Sequence, residues 1–267
     1  MAALDLVADW PAVGAVEVTG AARTLASTGP GDSFAWASVT KLVTALTVLG
    51  GVARGHVGLD EPAGPPGSTV RHLLAYASGL APDSDGVLAP PGRRRIYSNR
   101  GIEVAARFLA DRTGTDFGTL LRAWVLDPLG MSGTELAGSP AHGAWGPVRD
   151  LAALGRELLA PTLVPALMAE ATRPVFAGLA GVLPGFGRQD PNDWGLGFEI
   201  RDGKHPHWTG AGNSGATFGH FGQSGSFLWV DPAAGLACAA LADRPFADWA
   251  VRAWPELSDA VLAEFAR

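Results

Sequence analysis

Strand-like segments at both ends of this 267-residue chain bracket a mostly helical middle, and that order predicts an α+β (mixed α/β) fold. Near the N-terminus the runs AVGAVEV, RTLAST and SFAWAS are apolar or β-branched and are broken by Gly and Asp. From Trp194 onward WGLGFEIRD, TFGHFGQ, SFLWVDP and LACAALAD run at strand length between turn residues. Each group is too small to stand as a sheet by itself. The expected architecture is therefore one antiparallel sheet assembled from both termini and flanked by helices, with an all-α insert. Residues 1–60 and 190–267 form the discontinuous sheet domain in this reading, and residues 61–189 form the insert.

The elements follow in order. A brief helix is expected over residues 2–9, then the first strands. SVTKLVTALTVLGGVARG is apolar over nearly three turns and closes on Gly50-Gly51, which is too long for a strand and suits a buried helix. DEPAGPPGS is a loop by composition. Helices are expected in VRHLLAYAS, EVAARFLADRTG, TDFGTLLRAWVLDPLG, VRDLAALGRELLAP and LVPALMAEAT, several of which end in Gly or Pro. Thr115 and Asp116 give one of them a capped start. The tail FADWAVRAWPELSDAVLAEFAR returns to helix, with Pro255 starting or kinking a segment.

Hydrophobic residues make up 47% of the chain and the net charge is −6, which fits a globular protein and gives no reason to expect nucleic-acid or membrane partners. Small molecules are the expected ligands, and a monomer or weak homo-oligomer the expected state. The first residues carry Asp5, Asp9 and Pro11 and no basic stretch, unlike an export signal, so a cytoplasmic location is expected. The single cysteine, Cys238 in LACAALA, reads as a buried strand thiol. No Walker loop, dinucleotide fingerprint or G-x-S-x-G elbow is present, and no cofactor is implied. His205 and His207 read as solvated side chains of a polar loop rather than metal ligands, and Arg93-Arg94-Arg95 as a solvated loop able to offer a cationic rim.

Lysine usage singles out one position. The chain has eighteen arginines and only two lysines, and whereas Lys204 falls in the polar segment RDGKHPH, Lys41 falls inside the apolar helix. A buried lysine, unlike arginine, sheds its proton near neutral pH and serves as a base. Ser38 precedes it by three residues at the helix start, on the same face, where free backbone N–H groups favour an oxyanion. That is the pattern of an activated serine nucleophile. A bare N-cap beside a snorkelling lysine would give the same four letters.

Two further segments carry chemistry. Tyr97-Ser98-Asn99 follows the basic loop PPGRRR, and a tyrosine beside a lysine can pass protons. Either Ser98 or Asn99 could instead be the cap of the next helix. In TFGHFGQSGSF, glycines on both sides of His220 and Phe221 suggest close approach of backbone and ligand, with Gly222 and Gln223 forming a hydrogen-bonding wall.

Together S-x-x-K, Y-S-N and H-x-G, in that order, resemble the family of class C β-lactamases, serine D,D-peptidases and family VIII carboxylesterases. The flanks ASVTKLVTALTVL, STVRHLLAYASGL, WGLGFEI and GHFGQSGSFLWVDP look familial as well. The resemblance implies a β-lactamase/transpeptidase-like fold with the active site in a cleft between sheet and insert, and an acyl-enzyme route without metal. Ser38 would be the nucleophile, Lys41 its partner and Tyr97 the general acid/base. Asn99 would contact substrate, His220 would take the cationic place of the third motif, and the Ser38 and Gln223 amides would hold the oxyanion. Histidine where typical lactamases have lysine weakens a carboxylate clamp. The expected activity is therefore esterase- or amidase-type hydrolysis of small esters, amides or lactams. β-Lactamase or D,D-carboxypeptidase action, or substrate capture without turnover, are the alternatives.

Overall fold

The computed structural model describes residues 2–266. A 3-10 turn over Ala3–Asp9 leads into β1 (Gly14–Thr19), β2 (Thr24–Thr28) and β3 (Ser33–Ala35), followed by a second 3-10 turn at Ala37–Val39 that runs into α1 (Thr40–Ala53). The middle of the chain holds α2 (Val70–Leu74), α3 (Asn99–Thr113), α4 (Phe117–Leu121, widening into a π turn), β4 (Glu135–Leu136), β5 (Ala144–Pro147), α5 (Val148–Leu159) and α6 (Pro165–Ala171). A hairpin of β6 (Gly181–Leu183) and β7 (Gly187–Gln189) precedes β8 (Glu199–Ile200), β9 (Phe218–Gly222), β10 (Ser226–Asp231), β11 (Leu236–Ala242) and α7 (Asp248–Phe265).

Six strands form one sheet in the order β2-β1-β11-β10-β9-β8, and every pairing is antiparallel. Both chain ends thus supply it, as the strand pattern predicts. β3 departs from that prediction. It joins β5 and β4 in a separate three-stranded sheet, with Phe34 opposite Gly146. A strand-like sequence fixes pleat and face, not partner.

Side-chain alternation sets what covers each face. On β10, Phe227 meets Trp254 and the Trp229 indole donates to Ser258 Oγ at 3.0 Å, so this face carries α7. The intervening Leu228 points the other way, toward Gly155 of α5. A Cβ at Gly155 would come within 3.1 Å of the Ala237 methyl, so the small residue lets α5 settle directly on β11. α5 lies within the 61–189 stretch, yet its packing partners are strands β1, β10 and β11.

α1 is buried on nearly all sides, which explains why its sequence is apolar throughout rather than amphipathic. It packs on α3 where Gly51 faces Leu109, at a spacing that leaves no room for a Cβ. The 3-10 turn at its start lies against β9. Among the described residues, no helix is long and apolar enough to cross a membrane.

Candidate active site

Hydrogen bonds to β5 clamp the start of α1. The Trp36 amide donates to Ala144 O at 2.9 Å and its indole to Gly146 O at 3.1 Å. Thr40 Oγ1 accepts from the Ala144 amide at 3.0 Å, so β5 holds the chain on both sides of Ser38. Ala37 between them has φ +43°, a left-handed conformation that costs an alanine on the order of 1 kcal/mol and is held by these surrounding bonds. From the other side, Ser224 Oγ and Ser226 Oγ donate to the carbonyls of Ala35 and Trp36, each at 2.7 Å. The β9–β10 turn is thereby tied to the segment that carries Ser38. Gly222 lies at this seam, and a Cβ there would fall 2.4 Å from Trp36 O and from Ser226 Oγ.

Ser38 and Lys41 meet as their spacing predicts. Lys41 Nζ lies 3.0 Å from Ser38 Oγ and donates to Ala141 O at 2.8 Å. The amine is fully buried, and burial lowers its pKa to about 7 against the weaker pull of Asp83 and Glu103. Near neutral pH a good part of it is therefore the free base. The Ala141 loop is itself held, since Ser139 Oγ donates to Glu103 Oε1 at 2.6 Å and accepts from the Ala141 amide at 3.0 Å.

Tyr97 and His220 complete the cluster. The Tyr97 ring stacks on Tyr76 at 5.1 Å and lies 4.9 Å from Lys41 Nζ. Burial pushes its phenol well above the ordinary range, opposed in part by a hydrogen bond from Ser38, so the hydroxyl keeps its proton. His220 Nδ1 is 2.7 Å from the Phe221 carbonyl, which can only accept; the proton is therefore on Nδ1 and Nε2 is bare. That bare nitrogen faces Tyr97 Oη at 3.5 Å, a long hydrogen bond donated by the phenol. Burial, then the nearby Lys41 charge, lower the His220 pKa to about 3. The expectation of a partly charged group in the third-motif position is thus corrected: His220 is neutral, because it is dry and already has a cation as neighbour.

A small cavity of about 40 Å³ opens beside Ser38, walled by Tyr97, Trp194, His220, Gln223 and the tip of the β6–β7 hairpin at Leu183 and Pro184. Asn99 is not part of this wall. It is the first residue of α3, with Ser98 as the cap accepting from the Gly101 amide at 2.9 Å, and its Nδ2 donates to Asp83 Oδ1 at 2.7 Å.

The chain is similar to known proteins over nearly its whole length. A family model described as Beta-lactamase matches residues 14–262. The chain belongs to the beta-lactamase family. A crystal structure of a beta-lactamase (Mb2281c) from Mycobacterium bovis is 54% identical with a TM-score of 0.98, covering 99% of this chain and 100% of that one. EstCE1, a hydrolase with promiscuous acyltransferase activity, has a TM-score of 0.79 at 18% identity over 97% of this chain and 96% of its own. Simvastatin synthase (LovD) from Aspergillus terreus has a TM-score of 0.80 at 16% identity, covering 98% and 96%. No curated protein matches the chain.

Within this family fold several polar residues lie where the sequence pattern does not put them. Lys204 is no surface lysine: it is buried, pairs with Glu199 and donates to Asp193 O at 2.6 Å. His207 is buried rather than solvated, with Nε2 3.0 Å from Glu199 Oε2 and Nδ1 2.8 Å from Thr209 Oγ1. Trp208 also donates to Glu199, at 3.1 Å, and stays behind the cavity wall, which leaves Trp194 as the tryptophan of the cleft. Of the three consecutive arginines, Arg95 is buried, and its guanidinium donates to carbonyls of Ala75, Asn192, Val175 and Phe176. Cys238 is the buried strand thiol expected, its pKa pushed up by burial.

Proposed function

We propose that the protein is a serine hydrolase that forms an acyl-enzyme on Ser38 and cleaves small esters or amides. The observation that carries this reading is the 3.0 Å contact between Ser38 Oγ and the fully buried Lys41 amine, whose pKa burial lowers to about 7. In the proposed route Lys41 takes the serine proton as Oγ attacks the substrate carbonyl. The oxyanion lies against the Ser38 and Gln223 amides. As the tetrahedral adduct collapses, Tyr97 protonates the departing oxygen or nitrogen and is itself reprotonated by the Lys41 ammonium. Water then repeats the sequence on the acyl-enzyme, Lys41 receiving its proton and returning it to Ser38.

An esterase or amidase is favoured over a β-lactamase because His220 is neutral and cannot supply the fixed cation that binds an acidic lactam. Hydrolysis of p-nitrophenyl butyrate without hydrolysis of nitrocefin supports this reading, and the reverse pattern overturns it. Mass spectrometry after a fluorophosphonate probe should place the label on Ser38. Full activity in a Ser38→Ala variant would sink the assignment.

A further inference from the structure

Beside the small pocket at Ser38 lies a much larger trough of about 630 Å³. The two share Tyr97 and Pro184 in their linings, so the trough adjoins the pocket at the serine. One wall is the loop that carries Arg93 and Arg94, and the other is the β6–β7 hairpin with Val182 and Arg188. The walls are fixed to each other: the Arg95 amide donates to Ala180 O at 3.1 Å, and the two chains come so close that a Cβ at Gly181 would fall 2.3 Å from Arg95 O.

The lining combines two chemistries. Leu88, Ile96 and Val182 give it apolar surface, and two of these side chains, Leu88 and Val182, are 58% exposed within the one trough. Arg93 and Arg94 are exposed and make no ion pair among the described residues, whereas Arg188 is paired with Asp190 at 2.9 Å. Among the described residues no acidic side chain lines the trough, in a protein whose net charge is −6. Unpaired arginines gathered against that balance, next to the nucleophile, suit an anion.

We infer that the trough selects substrates that are both apolar and anionic: acyl compounds with a short hydrocarbon stretch and a terminal carboxylate or phosphate, read by Arg93 and Arg94. This rests on the assignment of Ser38 as nucleophile and adds the substrate class to it. The cavity at Ser38, about 40 Å³ against about 630 Å³, leaves the trough as the place for the bulk of the substrate.

The test compares mono-(4-nitrophenyl) adipate, anionic at its far end, with 4-nitrophenyl 6-aminohexanoate, cationic there and of equal length. The wild-type protein should favour the anionic ester in kcat/KM by about fivefold at low ionic strength, the size two exposed charge contacts supply. The ratio should fall toward one in about 0.5 M sodium chloride, and below one in the double variant Arg93→Glu, Arg94→Glu. A ratio near one in the wild-type protein, or one unmoved by the double charge reversal, overturns the inference. If neither ester is hydrolysed, the Ser38 assignment fails, and calorimetric titration with heptanoate and hexyl phosphate then decides the trough separately. Binding about fivefold weaker in the double variant sustains an anion site, and the tighter of the two ligands identifies the anion. Equal affinity in both proteins refutes it.

Discussion

The bare Nε2 of His220 faces the hydroxyl of Tyr97 at 3.5 Å, and both groups are neutral. The site therefore holds one titrating group near physiological pH, the Lys41 amine, and its chemistry should follow that group alone.

The pH profile of kcat/KM for a neutral ester should rise with pH through about 7 and level off above it, because the base form of Lys41 is the deprotonated one. His220, with its pKa lowered to about 3, should add no second inflection between pH 5 and 9. An inflection in that range that disappears in a His220→Asn variant would refute the neutral histidine.

Replacing Lys41 with Met should abolish turnover, by about 10³-fold or more, and yet raise thermal stability. Burial lowers the amine from 10.5 to about 7, so the unfolded chain binds more protons between those values and the cost of burying lysine is full below about pH 7. Relief of that cost should exceed the loss of the bond to Ala141, leaving a gain of about 1–2 kcal/mol at pH 7 that shrinks as pH approaches 10.5. Thermal melts at pH 7 and 10 measure it.

Tyr97→Phe keeps the stacking on Tyr76 and removes only the proton donor. The loss in kcat should be about 10²-fold or more for alkyl esters, whose alkoxide must be protonated, and much smaller for nitrophenyl esters, whose phenolate leaves unaided. Equal losses on both would contradict the acid role.

Lys204→Met should destabilise the protein by about 3 kcal/mol, since it strands the Glu199 carboxylate in a dry interior with only His207 and Trp208 as partners. Lys204 and His207, against the cost of burial, hold that carboxyl well below the ordinary range. Urea denaturation midpoints for this variant and for an exposed control, Arg107→Ala, make the comparison.

Gly222→Ala should lower kcat/KM by about 100-fold, because the new methyl cannot fit 2.4 Å from Trp36 O without moving the turn that carries Gln223 away from Ser38. Steady-state kinetics beside a circular dichroism spectrum would separate this from unfolding.

Much of this was legible in the sequence because it is local. Ser38 and Lys41 are one helical turn apart, and the apolar letters around Lys41 announce that it is buried. Lys204 was misread for the converse reason: Asp202, Gly203, His205 and Pro206 give it polar company, while its partner Glu199 lies five residues back on a short strand. The signal was there, as a charged residue inside WGLGFEI needs a buried counter-charge. Arg95 gave no such signal, because its acceptors are backbone carbonyls and every residue has one. The same holds for the Ala141 carbonyl on Lys41. Glu103 sits one turn after Asn99 on α3, on a shared face, and could have been suspected from that spacing. Strand β3 was recognisable as a strand, but its partner β5 is more than a hundred residues away and its sequence does not name it.

The pairing of β1 with β11, in which Gly14 lies opposite Ala242, has a consequence for how the molecule comes into being. As the chain leaves the ribosome, β1 and β2 emerge among the first elements and must wait, as an incomplete hairpin, until β11 is made. α1, buried on nearly all sides in the finished fold, is covered by α3 and α4 on one side but stays open on the other until β9 arrives. Folding is therefore largely post-synthetic and governed by distant contacts, which slows it and prolongs exposure of the helix that bears Lys41. A chain truncated before Leu236 should be a client of chaperones and proteases rather than a weaker enzyme.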